Sequence, residues 1–148
     1  MSERDSIQKQ IMIHASAARV WELVSVPGWW IANFYNGQDD QIRERRGDLD
    51  TVIDPQYGTF SFRTLNVVPG REITFQWVPV SGDNDGADSD GTNVRFVLEE
   101  DGEAVKVTVI ESGFSALYPV ADDRDKAIKD NESGWDYELG LLKAMAEA

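Results

Sequence analysis

Two dipeptides, Pro69-Gly70 and Asp101-Gly102, stand between runs of alternating apolar and polar residues. They restrict the fold more than any other feature of the chain. Ile73, Phe75 and Trp77 alternate with Glu72, Thr74 and Gln76, as a strand with one buried face requires. The run "TFSFRTLNVV" precedes Pro69-Gly70, the pair favoured at the centre of a type II turn. The runs "TNVRFVLEE" and "EAVKVTVIES" flank Asp101-Gly102, a strong hairpin signal. Val94, Phe96 and Leu98 define the inner face of the first run, and Val105, Val107 and Val109 that of the second. A further hairpin is expected at Gly47-Asp48, between "QIRERR" and "LDTVID". Consecutive hairpins of this kind build an antiparallel sheet.

Helical patterns bracket the sheet. Ile7, Ile11 and Ile13 share one parity and predict an opening strand. "SAARVWELVS" follows, with Ser16 as N-cap and Ala17, Val20, Trp21 and Val24 at helical spacing. Pro27-Gly28 ends that helix, and "GWWIANFYNG" reads as a second short helix or an irregular turn. After Tyr118-Pro119, Ile128, Asn131, Trp135, Leu139, Leu142 and Met145 recur at spacings of three and four, marking one side of a long helix. The expected class is α+β. A curved antiparallel sheet of about six to seven strands follows two short helices, and one C-terminal helix covers its inner face. The 148 residues are expected to form a single domain over 1–148.

Charge and composition exclude several roles. Fourteen basic residues against 27 acidic ones give a formal net charge of −13, which repels phosphate backbones and anionic lipid. Nucleic-acid and membrane partners are therefore not expected. The chain has no cysteine, so disulfides, thiol catalysis and thiolate metal sites are excluded. The polar start "MSERDSIQKQ" is not a signal peptide, and no apolar run is long enough to span a bilayer. A soluble cytoplasmic protein, monomeric or homodimeric, is the expectation.

One stretch, "PGWWIANFYNG", places four aromatic side chains among eleven residues. A curved sheet wrapped on one helix encloses volume that large side chains either fill or line. Trp29, Trp30 and Phe34 are expected at one end of such a pocket. Phe62, Phe75, Trp77, Phe96, Phe114 and Trp135 are the expected walls. Thr64 and Asn66 continue the face of Phe60 and Phe62 unless a bulge near Arg63 changes the register. Glu111 continues the face of Val105, Val107 and Val109. A carboxylate at the end of a valine row needs solvent, a partner or a ligand-accessible space. Apolar walls with a few inward polar groups describe a ligand site.

Catalytic signals are sparse. His14 is the single histidine and has the opposite parity to the first strand's isoleucines, so it is expected at the surface and supports no Ser–His–Asp arrangement. Glu111 is the candidate acid or base, because burial would raise its pKa; the plainer expectation is a strand-end carboxylate paired with a lysine or arginine. The acidic loop Gly82–Gly91 carries Asp83, Asp85, Asp88 and Asp90 but lacks the spacing and closing glutamate of a calcium loop, so no metal is expected. "RERR" at Arg43–Arg46 reads as a solvated strand face. No glycine-rich phosphate loop follows a strand, and no cofactor is expected.

The order of elements resembles the helix-grip, START-like (SRPBCC, Bet v 1-like) superfamily. More narrowly it is similar to the domain named after the activator of Hsp90 ATPase homologue 1 (AHSA1). The similarity lies in "SAARVWELVSVPGWW", in "VTVIESGF" at Val107–Phe114, and in "GWDYELGLL" with Trp135, Leu139 and Leu142. It implies binding of a small, largely hydrophobic ligand between sheet and C-terminal helix. It also implies two alternatives: a chaperone partner of the Hsp90 type, or a polyketide cyclase/dehydratase-like enzyme using the same cavity. The eukaryotic activators carry a separate N-terminal domain, for which 148 residues are expected to leave no space.

Overall fold

The computed structural model describes residues 5–30, 42–55, 58–78 and 92–148, without the side chains of Arg46, Ala116 and Leu117. Strand β1 (Ser6–Ile13) leads into helix α1 (Ala17–Val24). Strands β2 (Ile42–Arg46), β3 (Leu49–Asp54), β4 (Gly58–Val68), β5 (Glu72–Val78), β6 (Asn93–Asp101) and β7 (Ala104–Ser112) follow. The chain closes with a one-turn helix α2 (Phe114–Leu117) and the long helix α3 (Ala121–Glu147). The strands form one seven-stranded antiparallel sheet in the order β1-β7-β6-β5-β4-β3-β2.

Each turn has a local cause. Ser16 caps α1, its side chain accepting from the Arg19 N–H at 3.1 Å. In the β4–β5 turn, the Arg71 N–H donates to the Val68 carbonyl at 2.9 Å, while Gly70 takes a φ of 78°. This is the geometry that Pro69-Gly70 is suited to. The β6–β7 connection comprises Gly102 and Glu103, since Asp101 pairs with Ala104. The loop is thus displaced by one residue from the Asp101-Gly102 pair that signalled it.

Register places the side chains. Glu111 lies opposite Val94 on β6 and Ile7 on β1; Val109 lies opposite Phe96, and Val107 opposite Leu98 and Ile11. These residues occupy the face that α3 covers. Ile128, Trp135, Leu139, Leu142 and Ala146 of α3 are buried against it, whereas Asn131, expected on the same stripe, is exposed. A bulge between Thr64 and Asn66 changes the register of β4. Thr64 stays on the inner face opposite Phe75, while Asn66 turns outward and donates to Glu72 Oε1 at 3.0 Å.

Helix α2 has no counterpart in the sequence reading. Asp5 accounts for it: its carboxylate accepts the N–H groups of Gly113 at 3.2 Å and Ser115 at 2.5 Å. These contacts tie the start of β1 to the exit from β7. The hydrogen bonds from Ser115, chiefly, hold the Asp5 carboxyl below its ordinary value. At the other end of the sheet, Glu147 Oε2 accepts from Lys143 Nζ and from the His14 backbone N–H, both at 2.7 Å. The His14 side chain is exposed. Among the described residues no helix is long and apolar enough to cross a membrane.

Candidate functional site

The site is built where three elements meet on the inner face. Strand β7 supplies Glu111, the residue just before β6 supplies Thr92, and the middle of α3 supplies Trp135. The Trp135 indole Nε1 donates to Glu111 Oε1 at 2.9 Å, and the Thr92 hydroxyl donates to Glu111 Oε2 at 2.5 Å. Glu111 is only 5% exposed. Burial pushes its carboxyl above the ordinary value of 4.5, and the Thr92 and Trp135 hydrogen bonds offset part of that rise. Among the described residues its hydrogen-bond partners are these two neutral donors, in contrast to the expected lysine or arginine.

Trp135 joins this carboxylate to a continuous group of aromatic rings. Trp30 stands at its centre, with ring centroids 5.5 Å from Trp135, 5.6 Å from Phe96, 5.9 Å from Phe75, 5.3 Å from Phe62 and 5.8 Å from Trp77. Trp29 is fully buried and touches Trp30, Phe96 and Trp135. Most of these pairs are tilted or edge-to-face, the arrangement the ring quadrupole favours. The Trp30 Nε1 atom is buried without a hydrogen-bond partner, although the residue is only 8% exposed. Leaving such a donor unmet costs about 1–3 kcal/mol.

The tryptophan pair reaches this position because of Gly28 and Arg43. Gly28 has a φ of 70°, and a Cβ there would stand 2.6 Å from Phe62 Cε2 and 3.2 Å from Val52 Cγ2. A glycine therefore lets the backbone lie directly on β3 and β4. Arg43 pairs with Val52, so it points to the inner face and not to the solvated face expected for "RERR". Its Nη1 donates to the Pro27 carbonyl at 2.6 Å and its Nη2 to the Gly28 carbonyl at 3.4 Å. The edge strand thus holds the turn that delivers Trp29 and Trp30. Arg45 on the same strand is exposed and pairs with Asp50 at 3.3 Å.

Of the residues expected at the site, the structure brings together Trp29, Trp30, Phe62, Phe75, Trp77, Phe96, Trp135 and Glu111. Phe114 is buried at the start of α2, where its ring stacks on Tyr118, 6.5 Å away. Phe34, the remainder of "GWWIANFYNG" after Trp30, and the acidic loop Gly82–Gly91 lie outside the described residues. Thr92 was missed, yet its parity continues Val94, Phe96 and Leu98, and a polar residue on that row is a usable signal. Lys9 carries the same kind of signal. It shares the parity of Ile7 and Ile11 and reaches Asp136 on α3 at 3.4 Å. A separate open cleft of about 460 Å³, over Tyr118, Asp123, Lys126, Ala127, Asp130 and Asn131, shares no residue with the ring group.

Comparison with solved structures returns the same fold at low sequence identity. A protein of Mesorhizobium loti, MLL2253, matches with a TM-score of 0.67 and 15% identity, covering 95% of both chains. The Aha1 dimer of Colwellia psychrerythraea matches with a TM-score of 0.68 and 17% identity over 97% of both chains. DynU16, from the dynemicin biosynthetic locus, matches 95% of this chain and 46% of its own length, with a TM-score of 0.66 and 18% identity. A search of curated proteins returns no match. The sequence profile described as "Activator of Hsp90 ATPase homolog 1-like protein" aligns with residues 14–147. The seven-stranded sheet, its C-terminal helix and that alignment agree: the chain belongs to the activator of Hsp90 ATPase homolog 1-like family and has its helix-grip fold.

Proposed function

We propose that this protein binds a small, largely apolar ligand between its sheet and α3. Trp29 and Trp30 form one end of the site, Phe62, Phe75, Trp77, Phe96 and Trp135 its walls, and Glu111 its main polar contact. One observation carries this reading: a buried carboxylate is held inward by two neutral donors, one of them the Trp135 indole that packs in the ring group. A core selected only for stability gains more from an apolar residue at that position than from a desolvated carboxylate. The acidic, cysteine-free composition favours action in the cytoplasm.

Titration of the protein with small aromatic compounds, followed by tryptophan fluorescence, tests the reading. Saturable quenching is expected, and native mass spectrometry of freshly purified protein should retain a bound small molecule. Absence of both signals would reject it. An enzymatic reading draws on the raised pKa of Glu111, which suits a general acid or base. It requires turnover that Glu111→Gln abolishes while the fold persists. The family description favours a chaperone-partner reading, which requires a changed Hsp90 ATPase rate without any small molecule.

A further inference from the structure

The open cleft of about 460 Å³ between Tyr118 and the first three turns of α3 lies apart from the ring group and from Glu111. Tyr118 is 37% exposed, yet three contacts fix it. Its ring stacks on the buried Phe114 ring, and its backbone N–H donates to the Phe114 carbonyl at 2.8 Å. Its own carbonyl accepts from Arg124 Nη1 at 3.2 Å. A ring already held in this way loses little further freedom when a ligand packs on it. Asp123, Lys126, Ala127, Asp130 and Asn131 line the rest of the cleft, because spacings of three and four bring them to one side of α3. Ala127 is the smallest of these side chains and leaves room beside the tyrosine.

The lining selects the charge of the ligand. Two carboxylates, Asp123 and Asp130, stand against one ammonium, Lys126, in a chain whose formal net charge is −13. An anion would meet Lys126 only beside these carboxylates, three residues before it and four after, and against the field of the whole chain. An amine fits instead. It is protonated at neutral pH, its ammonium can donate to the carboxylates, and a cation beside an exposed tyrosine ring gains about 0.5–1 kcal/mol. Both aspartates are exposed, so their attraction is modest and weakens as salt is added.

We propose that this cleft binds a small amphiphilic amine, its ammonium group held by Asp123 and Asp130 and its apolar body resting on Tyr118 and Ala127. The site is independent of the one between sheet and helix. Naphthylmethylamine and naphthalenemethanol are near-isosteric probes that differ by an ammonium in place of a hydroxyl. Added to the isotope-labelled full chain, the amine should move the Ala127 and Asn131 amide resonances. At low salt it should bind about fivefold tighter than the alcohol, the value of two exposed charge contacts. Raising the salt should shrink that preference. In the double variant Asp123→Asn, Asp130→Asn, which alters only exposed side chains, the preference should fall to about one. Tyr118→Leu should weaken both probes together. Equal binding of amine and alcohol, or a preference that survives the double substitution, overturns the proposal. So does an amine that leaves Ala127 and Asn131 unmoved; if it shifts the Trp30 and Trp135 indoles instead, the interior reading gains what the cleft loses.

Discussion

The indole N–H of Trp135 and the carboxylate of Glu111 meet at 2.9 Å across the interior, joining the middle of α3 to the end of β7. This hydrogen bond links the helix directly to the sheet's buried carboxylate, and it makes Glu111 a structural residue whatever it does for a ligand. Replacing it by alanine leaves two buried donors, on Trp135 and Thr92, without an acceptor. We predict a loss of about 3 kcal/mol in urea unfolding for Glu111→Ala. Glu111→Gln keeps an acceptor for Trp135 and should cost less than about 1 kcal/mol at low pH.

The same pair of variants carries a pH prediction. A carboxyl whose folded pKa is raised binds more protons in the folded than in the unfolded state. Its contribution is full below the unfolded value of 4.5 and is lost as pH rises through the folded pKa. Glu111→Gln should therefore gain on the wild type as pH climbs above 4.5. A stability difference that stays flat from acid to neutral pH would contradict the buried, partly desolvated carboxylate.

Glu138, one turn along α3 from Trp135, offers an independent titration. Burial alone pushes its carboxyl up to about 7. By the same sign, its contribution is lost between pH 4.5 and about 7. Glu138→Gln should raise stability at pH 8 by at most about 2 kcal/mol once solvent screening of this half-buried group is allowed for. Thermal unfolding of the two proteins at pH 5 and pH 8 measures it.

Gly28→Ala tests the seating of the tryptophan turn. The new methyl would meet the Phe62 ring at 2.6 Å, and the backbone φ of 70° is unfavourable for any residue with a Cβ. Phe62 is fully buried between Trp30 and Trp77 and has little freedom to yield. The expected loss is about 3 kcal/mol, or a fall of roughly 6–12 °C in Tm for a domain of this size. A Tm unchanged within 2 °C of wild type, by this ~6–12 °C expectation, would contradict the packing described.

Arg43→Lys examines the clamp on the same turn. A lysine presents one point charge and cannot reach both the Pro27 and Gly28 carbonyls as the guanidinium fork does. Charge-assisted hydrogen bonds of this kind are worth about 1.5–3 kcal/mol, so a loss near 1 kcal/mol is expected for lysine and more for alanine. Near-ultraviolet circular dichroism should change with it, because the held segment carries Trp29 and Trp30.

Local chemistry was readable wherever a residue acts through its neighbours in the chain. Turn residues set the hairpins at Gly47-Asp48 and Pro69-Gly70, and alternation assigned Val105, Val107, Val109 and Glu111 to one face. Three- and four-residue spacing located α3 and all but Asn131 of its apolar stripe. These patterns depend on periods of 2 and 3.6 residues, which belong to the chain itself. Asn66 shows their limit: one bulge reversed its face, and the bulge left no unmistakable mark in "RTLNVV".

Other relationships required the assembled fold. That Glu111 faces Trp135 and Thr92 instead of a cation, that Arg43 grips Pro27 and Gly28 from the far edge of the sheet, and that Trp30 is the hub of the rings all join residues distant in sequence. So does the Asp5 cap that creates α2. Periodicity tells a side chain which way to point, whereas the partner it finds depends on how sheet and helix pack. The order of the strands, α1 and α3 was determined by the sequence alone; the polar chemistry of the interior was decided by tertiary packing, because hydrogen-bond partners are chosen by distance in space.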